Sequence, residues 1–125
     1  MATTLFFDLR AREACTDAVL ACYRGCRDVS VQFQSMSDAM ILRRYLRMLG
    51  DCAGACQATA TLLMRESEHE AVACHACGEI AASCGRRCRS IGHESMQACA
   101  DACELAAEAC LAYADQCNPR SASIY

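Results

Sequence analysis

Thirteen of the 125 residues are cysteine: Cys15, Cys22, Cys26, Cys52, Cys56, Cys74, Cys77, Cys84, Cys88, Cys99, Cys103, Cys110 and Cys117. Within each helical stretch drawn below, every step between successive Cys is three, four or seven residues. At 3.6 residues per turn, such steps keep the thiols on one face of a helix. The other members of these stripes are apolar or small. Ala11, Val19, Val29 and Phe33 continue the first stripe, and Met96, Ala106 and Tyr113 continue the last. The second is leaner in sulfur and runs Ile41, Tyr45, Met48, Cys52, Cys56, Thr59 and Leu63. Charged residues such as Asp17, Arg24, Glu79, Arg86, Asp101, Glu104 and Glu108 fall at other phases. The thiols therefore face a common interior.

Two Cys at i and i+4 have Cβ atoms about 6 Å apart on one face, so their sulfurs can flank one small ion. Cys22/Cys26, Cys52/Cys56, Cys84/Cys88 and Cys99/Cys103 have this spacing, and Cys74/Cys77 is the i,i+3 variant. Thiolate is a soft ligand, and Cu(I) is the soft, low-coordinate ion that suits it. Charge separates the candidate metals. Zn²⁺ held by four thiolates leaves a site at −2, costly in an apolar interior with no Lys or Arg on the inner stripes. Cu(I) and thiolate at about one to one leave the core near neutral, with bridging sulfurs giving each ion two ligands. Disulfides between helical neighbours are disfavoured, because both Cβ vectors tilt the same way along the axis. An iron–sulfur cluster needs four Cys converging from compact loop spacings, of which Cys74-x2-Cys77 is only a fragment. Two or three buried Cys could be explained by packing alone, since the reduced thiol behaves as a small hydrophobe. Thirteen on shared stripes need another reason.

The elements that must carry these stripes are helices over about 9–33, 38–65, 70–91 and 94–117, with a tail over 118–125. Ser37 is positioned to cap the second helix, with Asp38 in its first turn. Ser67, Glu68, His69 and Glu70 read as a polar connection. Gly92 suits the left-handed C′ position of the third helix, and Asn118-Pro119 stops the fourth. Long helices joined by short loops are antiparallel neighbours. The fold class is thus all-α: one up-down-up-down four-helix bundle domain with a Cys-lined core.

Composition agrees. One Pro, six Gly and no Trp exclude collagen and most β-sandwiches. A net charge of −3 argues against a nucleic-acid partner. No stretch approaches the ~18 apolar residues of a membrane span, so no membrane association is expected. The N-terminus has no basic n-region, and Asp8 and Arg10 break its apolar run, so it does not read as a secretory signal. A cytoplasmic location follows as the expectation, where thiols stay reduced and Cys-rich patterns mean metal or catalysis. No nucleophile–base pairing and no Gly-rich phosphate loop is visible, which favours a binding protein over an enzyme.

The Cys-x3-Cys pairs and seven-residue steps, spread over four helices of a chain this size, resemble the bacterial copper storage proteins. The resemblance covers roughly residues 11–117. It implies a four-helix bundle whose Cys hold many Cu(I) ions, with all thirteen Cys as the ligand set. It also implies a homo-oligomer, commonly a tetramer, and a copper chaperone or client cuproenzyme as further partner. The chain departs from the family in having only two Cys on its second helix. With antiparallel helices, one bundle end collects Met36, Met40, His93 and Met96, with Met48 deeper, as candidate ligands where copper is admitted. Thioether and imidazole can pass Cu(I) inward without trapping it. The opposite end holds Met64 and His69, while His75 lies about 100° off its stripe. The rival readings are a zinc or general heavy-metal buffer, a thiol redox enzyme or sensor, and a helical module whose Cys merely pack.

Overall fold

A computed structural model describes the backbone of residues 2–34 and 39–117, and the side chains of residues 9–34 and 43–117. Four helices follow in order: α1 (Ala2–Phe33), α2 (Ala39–Met64), α3 (Glu70–Ile91) and α4 (Glu94–Cys117). Packing runs around a ring, α1 on α2, α2 on α3, α3 on α4 and α4 back on α1. This is the antiparallel four-helix bundle that the periodicity predicts.

The bounds of α3 and α4 coincide with expectation. α1 starts earlier, at Ala2 rather than near Leu9. No Pro or Gly interrupts residues 2–9, and extending an existing helix costs far less than nucleating one. Ser37 and Asp38, expected to cap α2, lie outside the described residues, as does the 118–125 tail.

The two short connections at the ends of α3 show why the chain turns there. Gly92 adopts φ 78° at the end of α3, the left-handed conformation that Gly enters without a Cβ penalty. His93 follows, and its carbonyl accepts the first bonds of α4, from Met96 N at 3.0 Å and Gln97 N at 3.1 Å. At the other end of the bundle α2 closes with Ser67 N donating to Leu62 O (3.0 Å) and Glu66 N to Leu63 O (3.1 Å). That pair of bonds is a Schellman closure, with Glu66 at φ 52° where glycine is usual.

The α3–α4 contact is close because Gly78 and Gly85 face α4. A Cβ on Gly78 would lie 2.7 Å from Leu111 Cγ, and one on Gly85 3.2 Å from Cys103 Cβ. The missing side chains let the Cys of α3 and α4 meet across the core.

Candidate metal centre

Twelve of the thirteen Cys, Cys15 through Cys110, are buried, none more than 2% exposed. They form the interior with Val19, Leu49, Leu63, Met96 and a set of small Ala residues. No disulfide joins any of the thirteen.

The sulfurs form a column along the bundle. At one end Cys15 Sγ lies 3.8 Å from Cys74 Sγ and 3.7 Å from Cys110 Sγ. Cys56 and Cys77 follow, 3.8 Å apart. In the middle, Cys22 Sγ is 3.6 Å from both Cys52 Sγ and Cys103 Sγ. Further along, Cys26 meets Cys99 at 3.8 Å, Cys99 meets Cys88 at 4.0 Å, and Cys88 meets Cys84 at 4.0 Å. Two groups are compact enough to close on an ion. The sulfurs of Cys22, Cys26, Cys52 and Cys103 all lie within 4.8 Å of one another, as do those of Cys15, Cys74 and Cys110. The first group joins α1, α2 and α4, and the second joins α1, α3 and α4. Every helix therefore supplies sulfur to a multi-helix cluster.

The thiols polarise one another. Cys103 and Cys110, both on α4, are pushed well above the ordinary thiol range, chiefly by contact with Cys22 and Cys15 respectively. Their neighbours benefit: the Cys110 thiol holds Cys15 and Cys77 down to about 4, and the Cys103 thiol holds Cys22 and Cys84 down to about 6. The thiolate is the species that takes a soft cation.

One charged group that sequence reasoning placed in a polar connection is part of this interior. Glu70, the first residue of α3, is 8% exposed. It accepts from Arg12 Nε (3.1 Å, Oε2), Arg12 Nη2 (3.0 Å, Oε1) and the Tyr113 hydroxyl (2.7 Å, Oε1). Burial pushes the Glu70 carboxyl up, but Arg12 and then Tyr113 outweigh it and hold it below the usual range. Burial, then Glu70, raises Tyr113 above the ordinary phenol value. This network sits across the end of the sulfur column beside Cys74 and Cys110. Cys117 departs from the expectation of a fully inward stripe. It is exposed, its Sγ 4.0 Å from Glu70 Oε1, because the last turn of α4 runs past the end of the core.

The candidate residues for admitting copper separate. Met96 is fully buried and Met48 half-buried against the core. His93 is exposed, and its Nδ1 accepts from Ser95 N at 3.3 Å and lies 2.8 Å from Ser95 Oγ, a capping role at the start of α4. Met36 lies outside the described residues, as does the side chain of Met40. At the opposite end Met64 is 64% exposed and His69 pairs with Glu68, while His75 is exposed beside Glu79.

A sequence model of the copper storage protein family matches residues 9–117. The chain belongs to the copper storage protein family. Solved structures of similar fold include named copper storage proteins. A Cu(I)-bound copper storage protein, BsCsp3, is 29% identical with a TM-score of 0.78, over 83% of this chain and 98% of its own. A cytosolic copper storage protein from Streptomyces lividans, loaded with five coppers, is 28% identical with a TM-score of 0.79, over 86% of this chain and 94% of its own. The apo form of copper storage protein 3 from Bacillus subtilis is 28% identical with a TM-score of 0.70, over 82% and 97%. No curated protein matches the chain.

Proposed function

We propose that this copper storage family member holds many Cu(I) ions in its core, with Cys thiolates as the ligands. The observation that carries the reading is the pair of buried sulfur clusters drawn from all four helices. Spacings of 3.6–4.0 Å between sulfurs leave room for a two-coordinate ion after small χ1 changes. The ligand set is Cys15, Cys22, Cys26, Cys52, Cys56, Cys74, Cys77, Cys84, Cys88, Cys99, Cys103 and Cys110, with exposed Cys117 as an outlying thirteenth. Cu(I) is preferred over Zn²⁺ because the sole carboxylate buried near the sulfurs among the described residues, Glu70, is already neutralised by Arg12. Among the described residues, the remaining interior holds no cation to offset a tetrathiolate zinc site.

The chain acts as one bundle domain that stores or buffers copper rather than transforming a substrate, and the cytosolic relative supports a cytoplasmic setting. Copper is admitted toward the end away from the Glu70 network, where half-buried Met48 and buried Met96 lie and His93 is exposed; Met36 and Met40 are candidates there by sequence position alone. An apolar surface between α1 and α4 supports a homo-oligomer: Leu105, 62% exposed, lies there among Ala18, Ala21, Ala102 and Ala109. The test of the site is X-ray absorption on protein loaded anaerobically with Cu(I). Sulfur-only coordination with short copper–copper contacts is expected. Coordination dominated by nitrogen or oxygen would contradict it.

A further inference from the structure

A second feature of the surface points to how copper reaches the column, and it rests on the Cu(I)-storage reading. Two adjoining cavities open between α2 and α3, about 360 and 570 Å³ in volume. They share Met48, Asp51 and Arg87. Arg43, Arg44 and Arg47 surround the first, and Cys84 lies at the floor of the second. All four arginines are exposed, and none forms an ion pair with a described residue. Asp51 and Glu79 are the only carboxylates in the two linings. In a chain of net charge −3, this concentration of guanidinium is the reverse of the overall balance. Below it, Cys84 touches Cys88 at 4.0 Å, Cys88 touches Cys99 at 4.0 Å, and Cys99 touches Cys26 at 3.8 Å. A soft-ligand path therefore runs from the surface at Met48 to the four-sulfur cluster.

We propose that this cleft is a lateral loading window that takes Cu(I) from a small anionic thiol carrier. Two thiolates on one Cu(I) make a complex of charge −1, and carboxylates on the thiol add to it. Exposed guanidinium forks match carboxylates in geometry and charge. The volumes are those of a small-molecule site rather than of a flat protein interface. Transfer is a ligand exchange. The Cys84 thiolate forms a bond to copper as one carrier thiolate leaves, the departing thiolate takes a proton from solvent, and copper stays Cu(I) throughout. Met48 offers a weak thioether along the way.

The experiment is anaerobic stopped-flow uptake by the reduced full chain, read by thiolate-to-copper charge-transfer absorbance. Cu(I)–glutathione is the anionic donor and tetrakis(acetonitrile)copper(I) the cationic one. The Arg43→Gln/Arg44→Gln/Arg47→Gln variant should lower the glutathione-to-acetonitrile rate ratio about ten-fold or more. A charge-matched control, Arg24→Gln/Arg27→Gln/Arg65→Gln, should change it less than about two-fold. In the unmodified protein, raising salt from about 20 to about 500 mM should slow uptake from glutathione alone. Ser83→Trp, on the rim of the cleft, should slow uptake from both donors. An unchanged ratio in the first variant, an equal drop in both triple variants, salt-insensitive uptake or an indifferent Ser83→Trp would each overturn the window. None of these touches the storage reading, which fails instead if unmodified protein takes up only one or two ions from either donor.

Discussion

Replacing Glu70 by Ala tests whether the closed end of the bundle is held as described. The carboxylate accepts two hydrogen bonds from Arg12, at 3.0 and 3.1 Å, and one from Tyr113 at 2.7 Å. Tyr113 is 3% exposed, so its hydroxyl loses its carboxylate partner and keeps only the weaker Cys117 sulfur beside it. The Arg12 side chain is 21% exposed and can recover part of its hydration. A buried hydroxyl left with so weak a partner costs about 1–2 kcal/mol, and a half-hydrated guanidinium adds about 1 kcal/mol. The sum is about 2–3 kcal/mol, which lowers the midpoint of apo unfolding by roughly 8–15 °C for a domain of this size. The assay is chemical unfolding of reduced apo protein followed by circular dichroism, with the slope m constant between variants. A double-mutant cycle sharpens it: Tyr113→Phe should cost about 1 kcal/mol alone and less than half that once Glu70 is gone. Copper capacity should fall by at most about one ion, because the only sulfur Glu70 touches among the described residues is the outlying Cys117. A loss below about 0.5 kcal/mol, or strict additivity with Tyr113→Phe, would refute the reasoning.

Three further outcomes follow from the same geometry. Cys103→Ser removes the sulfur at 3.6 Å from Cys22 in the four-sulfur cluster and should lower Cu(I) capacity by about one or two ions, whereas Cys117→Ser should lower it by at most about one; competition against a chelator separates them. Glu66→Gly relieves a left-handed residue at the Schellman closure at the cost of an exposed 3.3 Å pair with Arg12, so apo stability should rise by about 0.5–1 kcal/mol in denaturant titration. Reduced, metal-free protein should already be helical by circular dichroism, because buried thiols pack as small hydrophobes; a largely unfolded apo chain would make copper the folding agent.

The sequence carried the bundle and the identity of the interior face because every Cys step within a helix keeps one phase and the positions between are apolar or small. Gly92 marked the α3–α4 turn because only one backbone conformation there suits the chain, and Gly relaxes into it. Which sulfurs meet was not legible. Cys22 and Cys103 are 81 residues apart, and their contact depends on how closely α4 approaches the rest of the bundle, set partly by Gly78 and Gly85. Glu70 was misplaced for a similar reason. A charged residue in a run of Ser, Glu and His reads as solvated, and only the return of Arg12, 58 positions earlier, makes its burial affordable. Cys117 obeys the seven-residue step yet is exposed, since periodicity fixes a phase around the helix but not how far the core extends along it. Arg43, Arg44 and Arg47 form a local run on α2, but that Arg87 of α3 joins them beside Met48 and Cys84 was not legible, because no linear pattern links the two helices.

The central claim is a thiolate core that stores copper. Its most direct test is an anaerobic titration of fully reduced protein with Cu(I) against a chelator of known affinity, with Zn²⁺ in parallel and thiols counted before and after. Tight uptake of about a dozen Cu(I) per chain, near one per thiol, is the predicted result. Uptake of only one or two ions, or a preference for Zn²⁺ with about four thiols per ion, would contradict it.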